Sequence, residues 1–396
     1  MQEVIFVMKR DDTLILSFSL NSWDGPWMSR QQILSRLAQK GWTIVYSRGL
    51  FFTWDIKSSA WKKSKNFINI KLMNDVYVLC KSRINLRNPK YSWFDACSLF
   101  VFSLYIKYLA WKKNKKNIVL HIFHPSFFPY IKFFKNSKII YHIYDAYHLC
   151  PGWNSELNHY EMKLISQADK IISLSIKMIP ILNNEVQEKL SIISNGVDYE
   201  LFSADLFNDC PEELSVIKSP RIGYVGSINS KLDLQLVAEI CEQKPEWNWI
   251  FLGRITEPIE RSVDPYYIDG LAKCRQCRNV HFLGERHHEM LPAYMAHMDV
   301  NAMCYRTTED GWWAAISPLK LHEYLAVGKP VISSSIDAVM KYNDVIDICQ
   351  SLNDWITAID NGIKGGVGSK KMRQIRASLN SWDDRVSKIE KIYEEL

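Results

Sequence analysis

The stretch "ISPLKLHEYLAVGKPVI" at residues 316–332 predicts a short helix followed directly by a buried strand. Ser317 is a good N-cap residue, and Pro318 suits the first helical position. Gly328 and Pro330 mark the end of the helix and the start of the strand. A helix that leads through a short turn into an apolar strand is typical of an α/β domain with a parallel sheet.

The same alternation of β-branched or aromatic runs with helical stretches extends along the chain in both directions, as in a parallel sheet. The predicted strands are 13–19, 43–47, 75–80, 117–123, 138–144, 170–175 and 191–194 in the first part, and 221–226, 248–253, 279–284, 298–305, 330–335 and 345–349 in the second. The predicted helices include 29–39, 93–113, 155–167, 231–243, 288–297 and 317–327.

A polar stretch with little periodicity, residues 203–219, separates the two series and predicts a linker. The chain has 396 residues, which is long for a single core. We therefore predict an α/β fold with two Rossmann-like, doubly wound domains that face an interdomain cleft. The domains would be an N-terminal one at 1–202 and a C-terminal one at 220–380, and a final helix at 381–396 could cross back to the first domain.

Positive charge is concentrated near the N-terminus. The net charge is +6, but residues 1–120 hold 20 basic against 7 acidic residues, and the rest of the chain is net negative. Aromatic residues alternate with lysines in "WKKSKNF" (61–67) and in 92–116. This pattern indicates nucleic acid or an anionic membrane surface, or else a solvated basic face over an aromatic core helix. Nucleic acid is the weakest of these, because no recognition motif accompanies the charge.

No segment predicts a membrane span or a secretory leader. The longest apolar run near the N-terminus, Ser98 to Ala110, contains Lys107 and is shorter than the roughly 20 residues that a span requires. The N-terminal "MQEVIFVMKRDD" lacks a small-residue cleavage site. Nine scattered cysteines fit reduced thiols, with Cys274 and Cys277 as a weak CxxC alternative for zinc or redox chemistry. We therefore expect a cytoplasmic protein.

Lys320 would lie in the first turn of the helix predicted in 316–332, where the macrodipole disfavours a cation by about 0.3–1 kcal/mol. A docked anion removes this cost, because free helix N–H groups beside a lysine form a phosphate site. Glu323 would lie on the same helix face and could accept hydrogen bonds from ribose hydroxyls. The alternative is an i,i+3 ion pair between Lys320 and Glu323 on an exposed face.

Two other predicted strand ends combine a glycine with a basic residue. Gly226 ends one strand and Lys231 opens the next helix, while Arg254 directly follows Gly253. Glycine permits close approach of a ligand, and a second cation beside Lys320 would suit a diphosphate. The chain has no GxGxxG and no GxxxxGK[ST] motif, which weakens a dinucleotide or P-loop interpretation.

In the first domain, His124 and Asp145 follow predicted strands and would lie near the mouth of the cleft. Either side chain could act as a general base or orient a sugar hydroxyl. The alternative is that both are structural polar groups. Asp24, Gly25 and Pro26 predict a turn after the first strand.

Taken together, "SPLKLHEYLAVGKPVI", "IISNGVDYELF", "RIGYVGSINSKLDL" and "NVHFLGERHHEMLPAYMAHMDV" resemble the GT-B glycosyltransferases, specifically the bacterial family-4-like enzymes of cell-surface polysaccharide synthesis. "WDGPWMSRQQILSRLAQKG" is similar to their first strand, loop and helix, and "SWDDRVSKIEKIYEEL" to their final helices. The resemblance covers most of the chain and is weakest over 50–115. It implies a nucleotide-sugar donor in the C-terminal domain, an acceptor in the N-terminal domain, and no metal.

The resemblance also implies roles for single residues. Lys320 would hold the donor diphosphate, Glu323 the ribose, and the turn from Leu283 to Arg286 would lie near the base. Lys231 matches the basic residue that follows the first strand of the C-terminal domain. The donor-binding candidates are Gly25, Gly226, Lys231, Arg254, Leu283, Arg286, Ser317, Leu319, Lys320 and Glu323, and the catalytic candidates are Asp145, His124, Lys320 and Arg254.

One departure from the family concerns the donor sugar. Many members have two glutamates in an E-x7-E spacing, of which the second matches Glu323, whereas the first position is Ala315 in this chain. The missing carboxylate commonly contacts the sugar, so the retaining mechanism is less firmly implied. Asp310 or Glu309 on the preceding loop could replace it.

A second departure concerns the diphosphate. The arginine that usually follows the position of Gly226 is Ser227 in this chain. Arg254 is the basic residue that could substitute for it.

We therefore expect a metal-independent, cofactor-free hexosyltransferase at the inner face of the cytoplasmic membrane, with a nucleotide-diphosphate sugar as donor and a glycan or lipid-linked acceptor. In a retaining reaction the leaving phosphate takes the proton of the acceptor, and in an inverting one Asp145 would be the base. Helix 93–113 would hold the first domain near anionic lipid. The alternatives are a nucleotide-sugar 2-epimerase of the same fold and a degenerate glycosyltransferase that acts as a binding module.

Overall fold

The computed structural model describes residues 8–25, 27–150, 152–203, 209–256, 264–308, 312–315 and 317–396. These residues form two compact units. The first unit contains the described residues up to Ser194 together with Arg385–Leu396, and the second contains the described residues of Asn195–Asp384.

The first unit is built on an eight-stranded sheet. The strands of this unit are β1 Thr13–Phe18, β2 Thr43–Ser47, β3 Phe51–Phe52, β4 Asn69–Met73, β5 Val76–Cys80, β6 Leu86–Arg87, β7 Asn117–Ile122, β8 Lys138–Ile143, β9 Lys170–Ser173 and β10 Leu190–Ile192. Strands β3 and β6 form a separate two-stranded sheet, and the other eight form the large one. Its α-helices up to Ser194 are α1 Ser29–Gln39, α2 Ser59–Lys63, α3 Ser92–Lys112, α4 Phe128–Ile131, α5 Ser155–Gln167 and α6 Asn184–Lys189.

The order of this sheet is β10-β9-β8-β7-β1-β2-β5-β4. All neighbouring pairs are parallel except β4 and β5, which are antiparallel. Strand β1 is fully buried, as expected for a central parallel strand covered on both faces. Because β1 pairs with β2 on one side and β7 on the other, the strand order reverses between β1 and β7, where such sheets bind ligands.

Helix α3 has the same length as the predicted helix 93–113 and begins one residue earlier. It has 21 residues, and by length and composition it is the one described helix that is long and apolar enough to cross a membrane. This is weak evidence for a span, because 44% of its most apolar window is buried. Its inner face, with Leu99, Phe102, Ile106 and Leu109, lies in the interior of the protein.

The second unit is built on a six-stranded parallel sheet. Its strands are β11 Arg221–Val225, β12 Asn248–Leu252, β13 Val280–Gly284, β14 Val300–Met303, β15 Val331–Ser334 and β16 Asp347–Cys349. Its α-helices are α7 Tyr199–Ser203, α8 Glu212–Ser215, α9 Leu234–Gln243, α10 Pro265–Gln276, α11 Leu291–Ala296, α12 Lys320–Val327, α13 Leu352–Ile363 and α14 Lys370–Ser378. Helix α15, Trp382–Glu394, begins in this unit and continues into the first.

The strand order of the second sheet is β13-β12-β11-β14-β15-β16. The order reverses between β11 and β14, which pair directly. Loops that follow these two strands therefore meet at one point on the carboxyl edge of the sheet, as in a Rossmann fold.

The division of the chain differs from the predicted boundary at residue 202. Val197, Phe202 and Leu214 belong to the core of the second unit, where each is almost fully buried. Residues 204–208 of the predicted linker lie outside the described part of the chain, and the rest of it includes α8.

Candidate functional site

The reversal point of the second sheet brings together the loop after β11, the loop after β14 and the first turn of α12. A hydrogen bond from the Arg306 backbone N–H to the Lys231 carbonyl (2.9 Å) joins the two loops. Gly226 lies against Lys320, because a Cβ at Gly226 would be 2.8 Å from the lysine Nζ. Three residues predicted from separate parts of the sequence, Gly226, Lys231 and Lys320, thus lie around one point.

The Lys320 side chain is buried, with 8% of its surface exposed. Its Nζ donates hydrogen bonds to the hydroxyl groups of Tyr224, on β11, and Tyr305, which follows β14, both at 3.1 Å. The ammonium group also lies 4.5 Å from the ring centroid of Tyr224, within cation–π range. The charge is therefore held by neutral aromatic groups.

Burial and the neighbouring Lys231 charge lower the pKa of Lys320 well below its ordinary value, while Glu323 opposes this shift. The predicted alternative, an exposed Lys320–Glu323 ion pair, is wrong, because Lys320 is buried and no ion pair joins the two. The Glu323 carboxylate instead lies 3.6 Å from Nε2 of His288. Lys320 thus carries a buried charge that forms no ion pair with the described carboxylates, close to the charge of Lys231, and an anionic ligand would be attracted to this point.

Helix α12 begins later than predicted. Its first residue is Lys320, and Leu319 occupies the N-cap position without a side-chain capping bond, so Ser317 is not the cap. A turn precedes the helix, in which the Leu321 N–H donates to the Pro318 carbonyl at 3.3 Å. The Ser317 carbonyl accepts a hydrogen bond from the Asn195 side chain at 2.7 Å, which anchors the segment before the helix. Lys320 therefore occupies the first helical position, closer to the N-terminus than expected.

The glycines at the ends of β11 and β12 are required by close packing. Gly253 has a φ of +150°, and a Cβ there would be 2.2 Å from the carbonyl oxygen of Gly226. The Arg254 carbonyl accepts a hydrogen bond from the Ile228 N–H at 2.9 Å, whereas its guanidinium is exposed. Within the described ranges, this guanidinium has no hydrogen-bond or ion-pair partner, so it is available to a ligand.

Lys231 does not open a helix as predicted. Helix α9 begins at Leu234, because Asp233 caps it by accepting the Leu236 N–H. Lys231 instead lies in the loop before the cap, where its charge acts on Lys320. In the structure, Lys231 is therefore a loop residue and does not lie at a helix terminus.

Arg306 is an ordered cation on the loop after β14 that the sequence analysis missed. Its guanidinium lies between two aromatic rings, 4.6 Å from the centroid of Tyr266 and 4.2 Å from that of Trp313. It also donates a hydrogen bond to Asp264 at 2.5 Å. These contacts fix the loop that carries Tyr305. The sequence signal that could have identified Arg306 is its position directly after Tyr305, at the end of the predicted strand 298–305.

The turn from Leu283 to Arg286 is present at the end of β13, but Arg286 is already engaged. Its guanidinium forms an ion pair with Glu213 of α8 and donates a hydrogen bond to the Tyr294 hydroxyl. The hydrogen bond to Glu213 is the main cause that raises the pKa of Arg286. The structure therefore gives Arg286 a partner, and no described contact brings it or Leu283 to Lys320.

The two positions that depart from the family differ in environment. Ala315 is buried, with 7% exposure, so the missing carboxylate leaves a packed methyl group. Ser227 is exposed, and its carbonyl accepts a hydrogen bond from the Tyr224 hydroxyl at 3.1 Å. Glu309 and Asp310, the predicted substitutes for the carboxylate, lie outside the described residues.

The reversal point of the first sheet collects a second polar cluster. His124 follows β7, Asp145 follows β8, and Arg30 lies in the first turn of α1. Arg30 and Asp145 both act on the pKa of Tyr144 and of Tyr147, which indicates that these groups are close together. The structure thus brings the two predicted catalytic candidates to one edge, beside an arginine that the sequence analysis did not select.

His124 is a neutral hydrogen-bonding group in this cluster. Burial, and secondarily the charge of Arg30, lower the pKa of His124 to about 4. Its Nδ1 accepts the Ser126 backbone N–H at 3.2 Å, which assigns the ring proton to Nε2. A neutral imidazole with a protonated Nε2 can donate to a hydroxyl but cannot accept a proton at that nitrogen. The geometry therefore favours orientation of a hydroxyl over general-base catalysis by His124.

Three buried polar atoms of this cluster have no partner among the described residues. They are Nε of Arg30, Nε2 of His142 and the Tyr144 hydroxyl. The Arg30 guanidinium lies 4.8 Å from the centroid of the Tyr144 ring. Unpaired buried polar groups are costly and are often found where a ligand or water completes the site. This cluster is the polar feature of the first unit that a hydroxylated ligand would satisfy.

Gly25 lies in the predicted turn after β1. Its N–H donates to the Ser22 carbonyl at 3.3 Å, so this backbone donor is used within the turn. A Cβ at Gly25 would meet the same carbonyl at 3.3 Å, which makes the turn tight. Pro26 lies outside the described residues.

The described residues contain no group of three or more His, Cys, Asp or Glu arranged to hold a metal ion. The thiols of the CxxC pair are used in local hydrogen bonds, with Cys274 Sγ 3.2 Å from the Leu234 carbonyl. Burial raises the pKa of Cys274 above its ordinary value, which disfavours the thiolate.

Comparison with known proteins found sequence similarity over part of the chain. Residues 219–356 match the family model described as glycosyl transferases group 1. A segment of 235 residues is 28% identical to the putative teichuronic acid biosynthesis glycosyltransferase TuaH of Bacillus subtilis (strain 168). This match covers 56% of this chain and only 56% of that relative.

Solved structures resemble the whole chain. HepE (Alr3699) of Anabaena, solved in complex with UDP and glucose, superimposes with a TM-score of 0.67 at 14% identity, over 97% of this chain and 100% of that one. A glycosyltransferase from Rickettsia africae ESF-5 gives a TM-score of 0.63 at 16% identity, over 97% and 98% of the two chains. At these identities the likeness concerns the fold.

Proposed function

We propose that this chain, which has a GT-B fold and whose residues 219–356 match the glycosyl transferases group 1 model, transfers a sugar from a nucleotide-diphosphate sugar to an acceptor. The observation that carries the proposal is the buried cation of Lys320 at the reversal point of the second sheet. Among the described residues, two phenol oxygens accept from this buried ammonium and no carboxylate pairs with it, so it lacks the negative charge that a diphosphate supplies.

In this proposal, Lys320 and Lys231 bind the donor diphosphate, and the N-terminus of α12 contributes backbone N–H groups. Negative charge develops on the diphosphate as the glycosidic bond breaks. Preorganised cations stabilise that charge without reorganisation, which is the main route of electrostatic catalysis. Arg254 is the further catalytic cation, because its exposed guanidinium has no competing partner in the described ranges. Positive charge from side chains takes the role that a metal has in other transferases.

The donor is proposed to be a UDP-hexose. HepE was solved with UDP and glucose, which supports this choice as the first to test. Glu323, only 16% exposed, would accept hydrogen bonds from the ribose. Ala315 supplies no carboxylate for the sugar, so another group must fix its orientation.

The acceptor is proposed to bind the polar cluster of the first unit, with His124 donating from Nε2 to a sugar hydroxyl. We favour a retaining reaction, in which the leaving phosphate takes the proton of the acceptor hydroxyl. In an inverting reaction Asp145 would take that proton. The likeness to a putative teichuronic acid glycosyltransferase supports a surface-polysaccharide glycan or its lipid-linked precursor as acceptor.

The protein is proposed to act in the cytoplasm, at the inner face of the cytoplasmic membrane. Two features support this location: the excess of basic residues in 1–120 and the exposed aromatic side chains of α3. A lipid-linked acceptor would be presented at the same surface.

The test is a thermal-shift screen of UDP-, GDP-, ADP-, TDP- and CMP-linked sugars. We expect one donor class to stabilise the protein, and Lys320→Ala to abolish that stabilisation while Lys371→Ala, at an exposed site on α14, preserves it. A ligand shift that survives Lys320→Ala unchanged would contradict the phosphate assignment.

The screen is followed by incubation of the stabilising donor with a lipid extract. Transfer of labelled sugar into the lipid or glycan fraction supports the transferase. An isomer formed from donor alone would identify a 2-epimerase. Binding without any conversion would identify a binding module, which is consistent with the absence of a carboxylate at Ala315.

A further inference from the structure

Helix α3 exposes one continuous apolar face. Trp93, Phe100, Leu104, Tyr108 and Trp111 are between 48% and 73% exposed. Their spacing of three, four or seven residues places them on a single stripe of an α-helix. Single exposed apolar side chains are common, but a contiguous row over a whole helix marks an interaction surface. We call these five residues the α3 face.

The α3 face suits the boundary of a bilayer, because indole and phenol rings favour the headgroup level of a membrane. Trp93 and Trp111 lie at the two ends of the row, about 27 Å apart at the rise of an α-helix. The opposite side of α3 is buried in the first unit, as Phe102 and Ile106 are at most 2% exposed. The helix therefore presents one face to a membrane plane and cannot be surrounded by lipid without unfolding this packing.

A pocket of about 400 Å³ opens beside the α3 face. Phe100 belongs both to the α3 face and to the lining of the pocket. Lys107, about two turns further along α3, also lines the pocket. The rest of the lining comes from Lys116 and Ile118 at the start of β7 and from the segment 132–137 after α4. The lining contains four lysines, Lys107, Lys116, Lys132 and Lys135, and no carboxylate; we call it the lysine pocket.

The charge of the lysine pocket is largely uncompensated. Among the described residues, an acidic partner is found only for Lys116, which lies 3.4 Å from Asp12 at the surface. The other three ammonium groups form no ion pair with the described residues. The Nζ atoms of Lys107 and Lys132 lie 5.9 and 4.9 Å from the ring centroids of Phe134 and Phe133, so these two charges face aromatic rings. A concave site with this charge attracts an anion from outside the chain.

We propose that the α3 face lies in the headgroup layer of an anionic bilayer and that the lysine pocket binds the phosphate headgroup of an anionic phospholipid. The inference rests on the peripheral membrane contact of the proposed function and identifies its surface and its ligand. The shared wall at Phe100 places the phosphate site beside apolar side chains, which matches a lipid with its headgroup next to its acyl chains. A nucleic-acid duplex offers phosphates without such an apolar neighbour, because its bases are stacked inside the helix.

The test is flotation of the full chain at low salt with vesicles of phosphatidylglycerol and phosphatidylcholine, compared with phosphatidylcholine alone. We expect recovery with the anionic vesicles only. The pocket variant Lys132→Glu/Lys135→Glu should lower that recovery by about fivefold or more, because it reverses charge at the headgroup site. The face variant Leu104→Ser/Trp111→Ser should lower it to a similar extent.

The matched control is Lys364→Glu/Lys371→Glu, which makes the same change in net charge at exposed lysines of the second unit. Its recovery should stay within about twofold of the unaltered protein, since its charges lie outside the pocket. Equal recovery of the pocket variant and the unaltered protein overturns the headgroup site. Equal losses in the pocket variant and the control also overturn it, because they show an effect of net charge alone.

Two further readouts separate this inference from other outcomes. Calorimetry of every variant without vesicles measures unfolding of the first unit, and an unchanged transition shows that the variant is folded. The thermal shift by the nucleotide sugar is measured alongside. Flotation without any nucleotide-sugar shift supports the lipid site while contradicting the donor proposal. Absence of flotation, together with retardation of a random-sequence DNA fragment that the pocket variant abolishes, overturns the lipid assignment in favour of nucleic acid.

Discussion

The ammonium group of Lys320 is held by two phenol oxygens and forms no ion pair with the described carboxylates. Neutral acceptors compensate a buried charge only in part. Lys231 adds repulsion, as its effect on the pKa of Lys320 indicates. The partly compensated charge therefore costs stability, and binding of an anion would recover it. Such a trade between stability and ligand binding is expected at functional sites.

Lys320→Met should stabilise the unliganded protein while it abolishes the thermal shift by a nucleotide sugar. Removing an imperfectly compensated charge should increase the free energy of unfolding by roughly 1 kcal/mol, or about 2–4 °C in the midpoint of the second unit. Scanning calorimetry measures both effects. Lys371→Met, at an exposed lysine, should change neither. A lower midpoint with a retained ligand shift would show that Lys320 is a structural residue.

Glu161 on α5 gives the first unit a predictable dependence on pH. The carboxyl group is fully buried, and one oxygen accepts the Tyr141 hydroxyl at 2.7 Å. Burial raises the pKa of Glu161 from 4.5 to about 7, although the bond from Tyr141 opposes this. Between these values the folded protein holds a proton that the unfolded chain releases. The stability of this unit should therefore fall as pH rises from 4.5 to 7.

Glu161→Gln should remove that slope and increase the free energy of unfolding at pH 8 by roughly 1–3 kcal/mol. Urea unfolding at pH 5 and pH 8 measures the change. Glu188→Gln on α6 is the control, because Glu188 is exposed. An equal slope in the Glu161 variant and the unaltered protein would contradict the assigned protonation.

The sequence pointed to Gly226 and Lys320, which lie where a strand ends and where a helix begins, and to Lys231, which lies in the loop between β11 and α9. Tyr224 and Tyr305 could not be selected, since an aromatic residue in a strand pattern indicates a core position as readily as a site. Their role depends on the pairing of β11 with β14, which is a property of tertiary structure.

At the level of elements, the ends of β11 and β12 touch through their backbones. The Gly226 N–H donates to the Leu252 carbonyl at 2.8 Å, and Gly253 lies directly against the Gly226 carbonyl. Only glycine fits this contact, because a side chain would meet backbone that cannot move aside. The contact sets the distance between the loops that carry Lys231 and Arg254.

Gly253→Ala should destabilise the second unit by about 2 kcal/mol or more and abolish the nucleotide-sugar shift, because the new Cβ would separate the two strand ends. Gly365→Ala is the control. Gly365 also has a positive φ, +124°, but a Cβ there would meet no atom within 4 Å. Gly365→Ala should therefore lower the free energy of unfolding only through its unfavourable backbone conformation, and by less than Gly253→Ala. Thermal unfolding of both variants measures the difference. Equal losses would mean that backbone conformation, and not the contact, requires Gly253.

Most strands and several helices could be predicted from periodicity. Helices α1 and α5 and strand β2 coincide with the predicted residues. Helix α10 was not predicted, and it contains Pro265 and Gly270, the two residue types with the lowest helix propensity. In the structure Pro265 occupies the first turn, where it is tolerated, and a Cβ at Gly270 would crowd Leu234 of α9. Glycine there serves helix packing, which a single sequence does not reveal.

Strand β4 was also missed, for a different reason. It pairs antiparallel with β5 at the edge of the sheet, and Lys71 and Leu72 on it are exposed. An edge strand lacks the continuous apolar run of a buried parallel strand. The predicted sheet was therefore all parallel, whereas the observed one has an antiparallel edge.

For the whole molecule, the prediction of a GT-B fold with two Rossmann-like domains is confirmed by the observed sheets and by the solved relatives. It succeeded because parallel strands buried on both faces leave a strong pattern of apolar runs. The division between the units could not be read in the same way. Val197 and Phe202 follow the last strand of the first unit in sequence but pack in the core of the second.

Helix α15 gives the molecule a discontinuous first unit. Its residues Ile389 and Tyr393 are fully buried, and Tyr393 forms a hydrogen bond with His121 of β7. The Trp42 indole and the Lys40 ammonium both bond to Glu390 on the same helix. These contacts join the last residues of the chain to strands formed near its beginning.

Ile389→Ala should destabilise the first unit by about 2–4 kcal/mol through the cavity it leaves, with no effect on the nucleotide-sugar shift of the second unit. Calorimetry should then resolve an earlier transition that is insensitive to nucleotide sugar. Lys391→Ala, at an exposed position of the same helix, should leave both transitions unchanged. A single transition that still shifts fully with ligand would show that the two units unfold together.

The route of α15 also has a consequence during protein synthesis. The second unit is one continuous segment, Asn195–Asp384, and all of it leaves the ribosome before Arg385–Leu396 does. The first unit, although most of it is translated earlier, lacks its closing helix until Arg385–Leu396 has been translated. The usual order, in which the N-terminal domain completes its folding first, is therefore reversed in this chain. Nascent first units would expose apolar sheet surface to chaperones for the time needed to translate the second unit.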